Sequence, residues 1–466
     1  MSERRGDALV LLAAVAAAWA GSVAGTFQFD DWNVIVNEPR VATLSAWWES
    51  MPGIRPLLKL SFAVNRQSGF GLAGFHAVNL AIHAAAALLA LWLLRRVAEG
   101  AGVKGDAARF APWLGALLFA LHPVQTEAVT YVSGRSSSMA GALALGSAVA
   151  WLSGRERAFD WMAWGLSPLL FAAALLSKES AAPLPAALLL LLAVDVRRPF
   201  RWGAALRAVA PHLGVLAVAA VLVAASPTYG RMLARSAGLR TPGVNALTHV
   251  DALGWLTGQV FRIDRQVADP LLEPVERLGV GVAFEAAALL GTLALGLAAL
   301  RRRPALAFGL LWFLLWLPWT GWWLPRPDPA SERQLYLSLL GPAWLAGIWL
   351  SPWAAAGGVR RAAVGALVVA LGVATVLRNQ VYADEVGFWQ DAVAKAPANP
   401  RAHGNLAFAL AARCRTGEAE GELVRALELD PAYLRAAVNL RLLRDGAPLG
   451  PAEPACPPLR SLPTPP

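Results

Sequence analysis

Cysteine is nearly absent, with two residues in 466, Cys414 and Cys456. That excludes a disulfide-built secreted scaffold and a multi-cysteine zinc site. Charge is scarce as well: Asp, Glu, Lys and Arg make up 15% of the chain, against roughly 25% in soluble proteins. Lysine is scarcer still. Only Lys59, Lys104, Lys178 and Lys395 stand among 41 basic residues, and with abundant alanine this bias fits a GC-rich, bacterial genome. No Gly-rich phosphate loop is present, so nothing in the chain is built to cradle a nucleotide. No His-x-Glu-x-His pattern accompanies the six histidines, so no metal ligands are expected from spacing.

Hydrophobic residues, by contrast, reach 57%. Apolar blocks recur from Leu9 to Leu377, and many approach the ~20 residues that cross a bilayer as helix. This excludes a soluble enzyme and a disordered chain. It also excludes a transmembrane β-barrel, whose strands would alternate over ~10 residues. The pattern predicts an all-α polytopic membrane helix bundle of about eleven spans, near residues 8–27, 72–94, 111–122, 136–152, 161–176, 181–196, 208–225, 279–300, 305–323, 334–351 and 362–378. The first follows Met-Ser-Glu-Arg-Arg. It reads as an uncleaved helix with a basic inner flank rather than a signal peptide, because many spans follow. The stretch 245–263 carries His249, Asp251 and Arg262 and reads as a re-entrant or surface helix.

The net charge of +10 would suggest nucleic acid in a soluble chain. Here it sits in runs beside apolar blocks, such as Arg95-Arg96, Arg197-Arg198, Arg301-Arg302-Arg303 and Arg360-Arg361. Those runs mark inner loops and lipid headgroup contact, so membrane lipids are expected partners and nucleic acid is not. With the N-terminus inside, eleven crossings put the C-terminal region on the periplasmic side of a bacterial inner membrane.

That region changes character. Asn405-Leu406 recurs as Asn439-Leu440, and Ala392, Pro397 and Ala402 recur as Ala426, Pro431 and Ala436, all at an offset of 34. This is the period of tetratricopeptide repeats. The expected organisation is a membrane domain over 1–380, a repeat domain over 384–446 and a Pro-rich disordered tail over 447–466. Only about one full repeat and two halves fit, so the unit must lean on the membrane domain or a partner. Both cysteines fall in this external region, and a Cys414–Cys456 disulfide would pin the tail to the repeat.

Polar clusters interrupt the ends of the apolar blocks, where ionisable groups mark function by default. Asp30-Asp31 leaves the first block. A carboxylate there could take a proton from an acceptor hydroxyl. Arg55 precedes Pro56. His122 and Pro123 close the third block and are followed by Glu127 and Arg135. Lys178-Glu179 lies between the fifth and sixth blocks, where a lone lysine could hold a phosphate or snorkel. Ser331 and Gln334 fit a capping box around Glu332 and Arg333, with Tyr336 one turn on. His76, Asn79 and His83 share one helical face, a pattern suited to bonding between helices. Four of these clusters fall on the same predicted outer side.

The ordered set Phe29-Asp30-Asp31, Arg55-Pro56-Leu57, Phe75-His76 with Asn79 and His83, Leu121-His122-Pro123 with Thr126-Glu127, Gly134-Arg135, Ser177-Lys178-Glu179 and Glu332-Arg333 with Tyr336, followed by the repeats, resembles the transmembrane and tetratricopeptide-repeat O-mannosyltransferases and their bacterial relatives. The resemblance implies a C-type glycosyltransferase fold. It implies an inverting glycosyltransferase that moves mannose or a similar hexose from a polyprenyl-phosphate donor to a hydroxyl of a protein or glycan acceptor on the outer membrane face. The catalytic position falls on Asp30 and Asp31. Donor and substrate contacts fall on Arg55, His122, Glu127, Arg135, Lys178, Glu179, Glu332, Arg333 and Tyr336. No organic cofactor is implied, and a divalent ion at the acidic pair stays an open alternative. Two other readings compete: an O-antigen ligase or polysaccharide polymerase, and a non-catalytic membrane scaffold presenting the repeats. The acidic pair in the first loop argues against the former.

Overall fold

The computed structural model describes residues 2–51, 53–155, 161–447 and 449. The architecture is all-α, with no strand among the described residues. Each expected span has a helical counterpart, but length separates them. Five helices are long and apolar enough to cross a membrane: Arg5–Ala24, Gly71–Gly100, Trp202–Ala225, Val280–Ala299 and Gly358–Val381. A sixth span arises if Gly105–Leu121 and Pro123–Val129 count as one element bent by 50°. The bend has a covalent cause. Pro123 lacks an N–H and clashes with the preceding turn, and His122 before it takes an extended backbone. Met162–Ser177, Glu179–Ala193 and Pro304–Trp316 are apolar but shorter. Pro304–Trp316 has 13 residues, about 20 Å at 1.5 Å per residue, too short for a ~30 Å hydrocarbon layer. The chain is an integral membrane protein on these grounds.

The bundle centre is built from small residues and tethered indoles. Leu340–Ala355 lies along Gly105–Leu121. A Cβ on Gly347 would sit 2.9 Å from the Gly115 nitrogen, so only glycine permits the approach. Buried indoles need acceptors where water is absent. Trp19 Nε1 donates to Ala120 O at 2.9 Å, Trp312 Nε1 to Leu337 O at 2.9 Å, and Trp344 Nε1 to Ala305 O at 2.9 Å. Trp202–Ala225 and Val280–Ala299 stand at the periphery. Their Val221, Leu222, Phe284 and Leu290 are exposed by the protein, as lipid-facing side chains would be.

Four helices follow the last span: Glu385–Lys395, Pro400–Ala412, Thr416–Leu429 and Leu434–Arg444. Each packs on the next around Trp389, Leu406, Leu410, Leu423, Ala426 and Leu440. Asp384 and Asn399 cap the first two, accepting from Gly387 N at 3.0 Å and Arg401 N at 3.0 Å. The layer is tied to the rest. Lys395 Nζ donates to Gln266 O at 2.7 Å, and Asn399 Nδ2 to Asp269 O at 3.0 Å. Cys456, and with it the expected disulfide, lies outside the described residues, as does nearly all of the Pro-rich tail.

Candidate functional site

Four connecting segments meet: residues 25–55, 122–135, 177–183 and 317–339. In the first, the two neighbouring aspartates part company. Asp31 is fully buried. Its carboxylate accepts from Gln28 N at 3.0 Å and Ser133 N at 2.7 Å, joining the first segment to the second. Burial pushes its carboxyl up to about 7, against the pull of those bonds. Asp30 turns the other way. Its N–H donates to Tyr131 Oη at 2.8 Å. Its side chain, 42% exposed, lies 3.7 Å from Arg333 Nη2.

Arg333 is the hub. Its Nε lies 3.5 Å from Glu127 Oε1, its backbone N–H donates to Glu127 Oε2 at 2.9 Å, and its guanidinium lies over the Tyr131 ring at 5.6 Å. Glu127 reaches it from the turn that Pro123 begins. Ser331 N–H donates to Gln334 Oε1 at 3.2 Å, so the short helical turn bearing Arg333 starts at a capped position.

The same guanidinium lines a small open cleft with Lys178, Arg326, Ser137, Thr320 and Gln334, and with Trp316, Leu317 and Tyr336. Lys178 is buried. Its Nζ donates to Ser137 Oγ at 2.6 Å, and no carboxylate among the described residues lies within ion-pair distance of it. Burial, with Arg333 and Arg55 nearby, pushes its ammonium well down from the usual lysine range. Its sequence neighbour Glu179 does not neutralise it, because Arg55 claims that carboxylate through two parallel bonds of 3.0 and 2.6 Å. Arg326 Nη2 donates to Thr320 Oγ1 at 2.8 Å. Two guanidiniums and a lysine amine that an anion would help to protonate therefore face one cleft, which suits an anion such as a phosphate.

Other expected site residues lie elsewhere. Arg135 is fully buried. Its guanidinium donates to Asn79 Oδ1 at 2.6 Å, Ser61 Oγ at 3.1 Å and Phe75 O at 2.9 Å. Every nitrogen is bonded to the protein, so that Arg135 bolts three helices together outside the lining of the cleft. His122 is consumed between Val260 O and Val124 N. Glu332 is buried, accepts from Val267 N at 2.7 Å and faces Arg378. Tyr336 offers its ring to the cleft, while its hydroxyl meets His83 Nδ1 at 2.9 Å. Sequence reading missed Arg326, Ser137 and Thr320. A signal existed for the first. Arg326 is the only basic residue between Arg303 and Arg333 and follows Trp322-Trp323-Leu324-Pro325 at the end of an apolar block. Among the described residues no group of three His, Cys, Asp or Glu is placed to hold a metal ion.

No family model matches the chain, and no solved structure does. Curated relatives do, in part. Protein O-mannosyl-transferase TMTC4 of Homo sapiens is 33% identical over 189 residues, covering 34% of this chain and 26% of that protein. Protein O-mannosyl-transferase Tmtc2 of Drosophila melanogaster is 37% identical over 153 residues, covering 31% and 15%. Protein O-mannosyl-transferase TMTC1 of Mus musculus is 33% identical over 153 residues, covering 29% and 15%. The matched part thus spans 15–26% of these relatives' length. The similarity is distant and partial, and it points toward membrane glycosyltransferases.

Proposed function

We propose that this chain is a membrane glycosyltransferase that moves a sugar, mannose or a similar hexose, from a polyprenyl phosphate to a hydroxyl of a protein or glycan acceptor. One observation carries the reading. The partly exposed Asp30 carboxylate lies 3.7 Å from an arginine that also lines a cleft shared with Lys178 and Arg326. A base and a cluster of basic side chains thus stand side by side, as displacement of a phosphate by a hydroxyl requires. A mere scaffold has no use for a buried lysine without a counter-ion.

In this mechanism Asp30 accepts the acceptor's hydroxyl proton. The oxygen attacks the anomeric carbon from the face opposite the leaving group, with inversion. The glycosidic bond to phosphate breaks, and the phosphate takes the electron pair. Lys178, Arg326 and Arg333 stabilise the growing charge. Glu127 holds Arg333 in place and Asp31 holds the loop. A bacterial enzyme of this kind would use undecaprenyl phosphate, with the cleft on the periplasmic side of the membrane and the 34-residue repeats over 384–446 presenting the acceptor.

Mass spectrometry of glycans from a deletion strain, complemented with wild type or Asp30→Asn, tests the activity. Loss of a hexose that only wild type restores is expected, and unchanged glycans in the deletion strain would refute the reading. Topology is checked separately: a phosphatase fused after Arg378 should be active and a cytoplasmic reporter silent.

A further inference from the structure

Phe29, immediately before Asp30, holds a left-handed backbone with φ 43°. A side chain with a bulky Cβ substituent disfavours that conformation, and it persists only where surroundings enforce it. The surroundings here belong to the C-terminal helices. The Phe29 ring meets the Trp389 ring edge to face, with centroids 5.5 Å apart. Arg401 also lies over the Phe29 ring, at 5.9 Å from its centroid.

Neither partner is loose. Trp389 is 2% exposed in the core of that layer. Arg401 is gripped by Asp269 and, at 2.7 Å, by Asp328. Two more bonds fasten the same loop to the same layer: Gln28 Nε2 donates to Tyr382 O at 3.1 Å, and Trp32 Nε1 to Glu385 Oε1 at 3.3 Å. The backbone on both sides of Asp30 is thus set by residues more than 350 positions away. On the far side, Ser133 and Tyr131 hold Asp31 and the Asp30 N–H.

We infer that Trp389 and Arg401 are positioning residues, which hold Phe29 in its left-handed turn and so aim the Asp30 carboxylate at Arg333 and the cleft. The inference rests on the reading of Asp30 given above. It gives the C-terminal helices a second task besides presenting an acceptor: they complete the site. Relaxing Phe29 to an extended backbone would redirect the following Cα–Cβ bond. A displacement of about 1 Å at a reacting group can cost ~10²-fold in rate. Loss of the clamp therefore lowers kcat and leaves donor KM unchanged, because Lys178 and Arg326 are untouched. A layer that only binds acceptor would instead raise acceptor KM.

The full-length protein in nanodiscs tests this, with Trp389→Ala, Trp389→Phe, Phe29→Ala and the exposed-surface control Leu434→Ala. Hydrogen exchange of residues 26–36 reports the clamp without any activity. Transfer from undecaprenyl-phosphate mannose into membranes of the deletion strain reports the consequence. Trp389→Ala and Phe29→Ala should raise exchange at 26–36 about tenfold and lower kcat by ~10²-fold, with donor KM unchanged. Trp389→Phe should restore both, and Leu434→Ala should match wild type. Unchanged exchange at 26–36 in both alanine variants overturns the clamp. Raised exchange with full transfer overturns the positioning role, while an inactive Asp30→Asn would leave the proposed function standing. An Asp30→Asn that keeps full transfer overturns the functional reading and, with it, the positioning role. If Trp389→Ala fails to fold, Phe29→Ala carries the same test from the loop side.

Discussion

Arg333 faces two carboxylates at nearly equal distance, and burial separates their roles. Asp30 lies at 3.7 Å and is 42% exposed; Glu127 lies at 3.5 Å and is 6% exposed. In water-like surroundings the first pair gains about 1 kcal/mol, whereas at an effective dielectric near 20 the second gains about 5 kcal/mol before desolvation is subtracted. Exposed pairs retain ~0–1 kcal/mol in practice. Breaking a buried pair by removing one partner costs ~3–5 kcal/mol, because the other charge is stranded. Asp30→Asn should therefore melt close to wild type in detergent and lose transfer by ~10²–10⁴-fold. Arg333→Gln should melt markedly lower, since it strands Glu127. Adding Glu127→Gln to Arg333→Gln should recover stability and no activity. Thermal unfolding followed by circular dichroism, with single-turnover transfer on the same samples, separates the two effects. If Asp30→Asn destabilises as much as Arg333→Gln while its folded fraction transfers at the wild-type rate, Asp30 is a structural acid and the mechanism is wrong.

Lys178→Met and Arg326→Gln should each raise donor KM by at least about tenfold, the equivalent of one charge-assisted hydrogen bond; donor titrations with unchanged KM would remove the cleft as the phosphate site. Arg135→Ala should lower expression and melting temperature, yet leave donor KM of the folded fraction unaltered, because its nitrogens are all bonded to Asn79, Ser61 and Phe75; a selective KM effect would contradict this. Asp31 provides a pH test. Burial raises its carboxyl from 3.8 to about 7, so the fold favours the protonated form. Its contribution is complete below about pH 4 and is lost as pH climbs through 7. Melting temperature should fall over that window in wild type, and less so in Asp31→Asn; parallel curves would exclude Asp31 as the titrating group.

Much of the fold was legible because apolar length and periodicity are local properties. Every apolar block predicted to span has a helix, and the break at Pro123 follows from a missing N–H. The number of crossings was less legible. Hydropathy does not count helical residues, and Pro304–Trp316 ends after 13. The polar clusters could be found from sequence as well, because a charge at the end of an apolar block stands out whatever surrounds it.

Where each charge sits, and what it pairs with, was decided only by tertiary structure. Asp30 and Asp31 are indistinguishable in sequence, yet the turn at Phe29 exposes one and buries the other on two backbone N–H groups. Arg135 and Arg326 look equally eligible for a phosphate, but two helices, Pro56–Ser68 and Gly71–Gly100, consume the first, while the second faces a cleft. Lys178 has no carboxylate partner among the described residues because Arg55, 123 positions away, takes Glu179. The physical reason is common to all three. An ionisable group's role depends on which partner reaches it first and how much water remains, and both are set by contacts across the chain that no local pattern encodes.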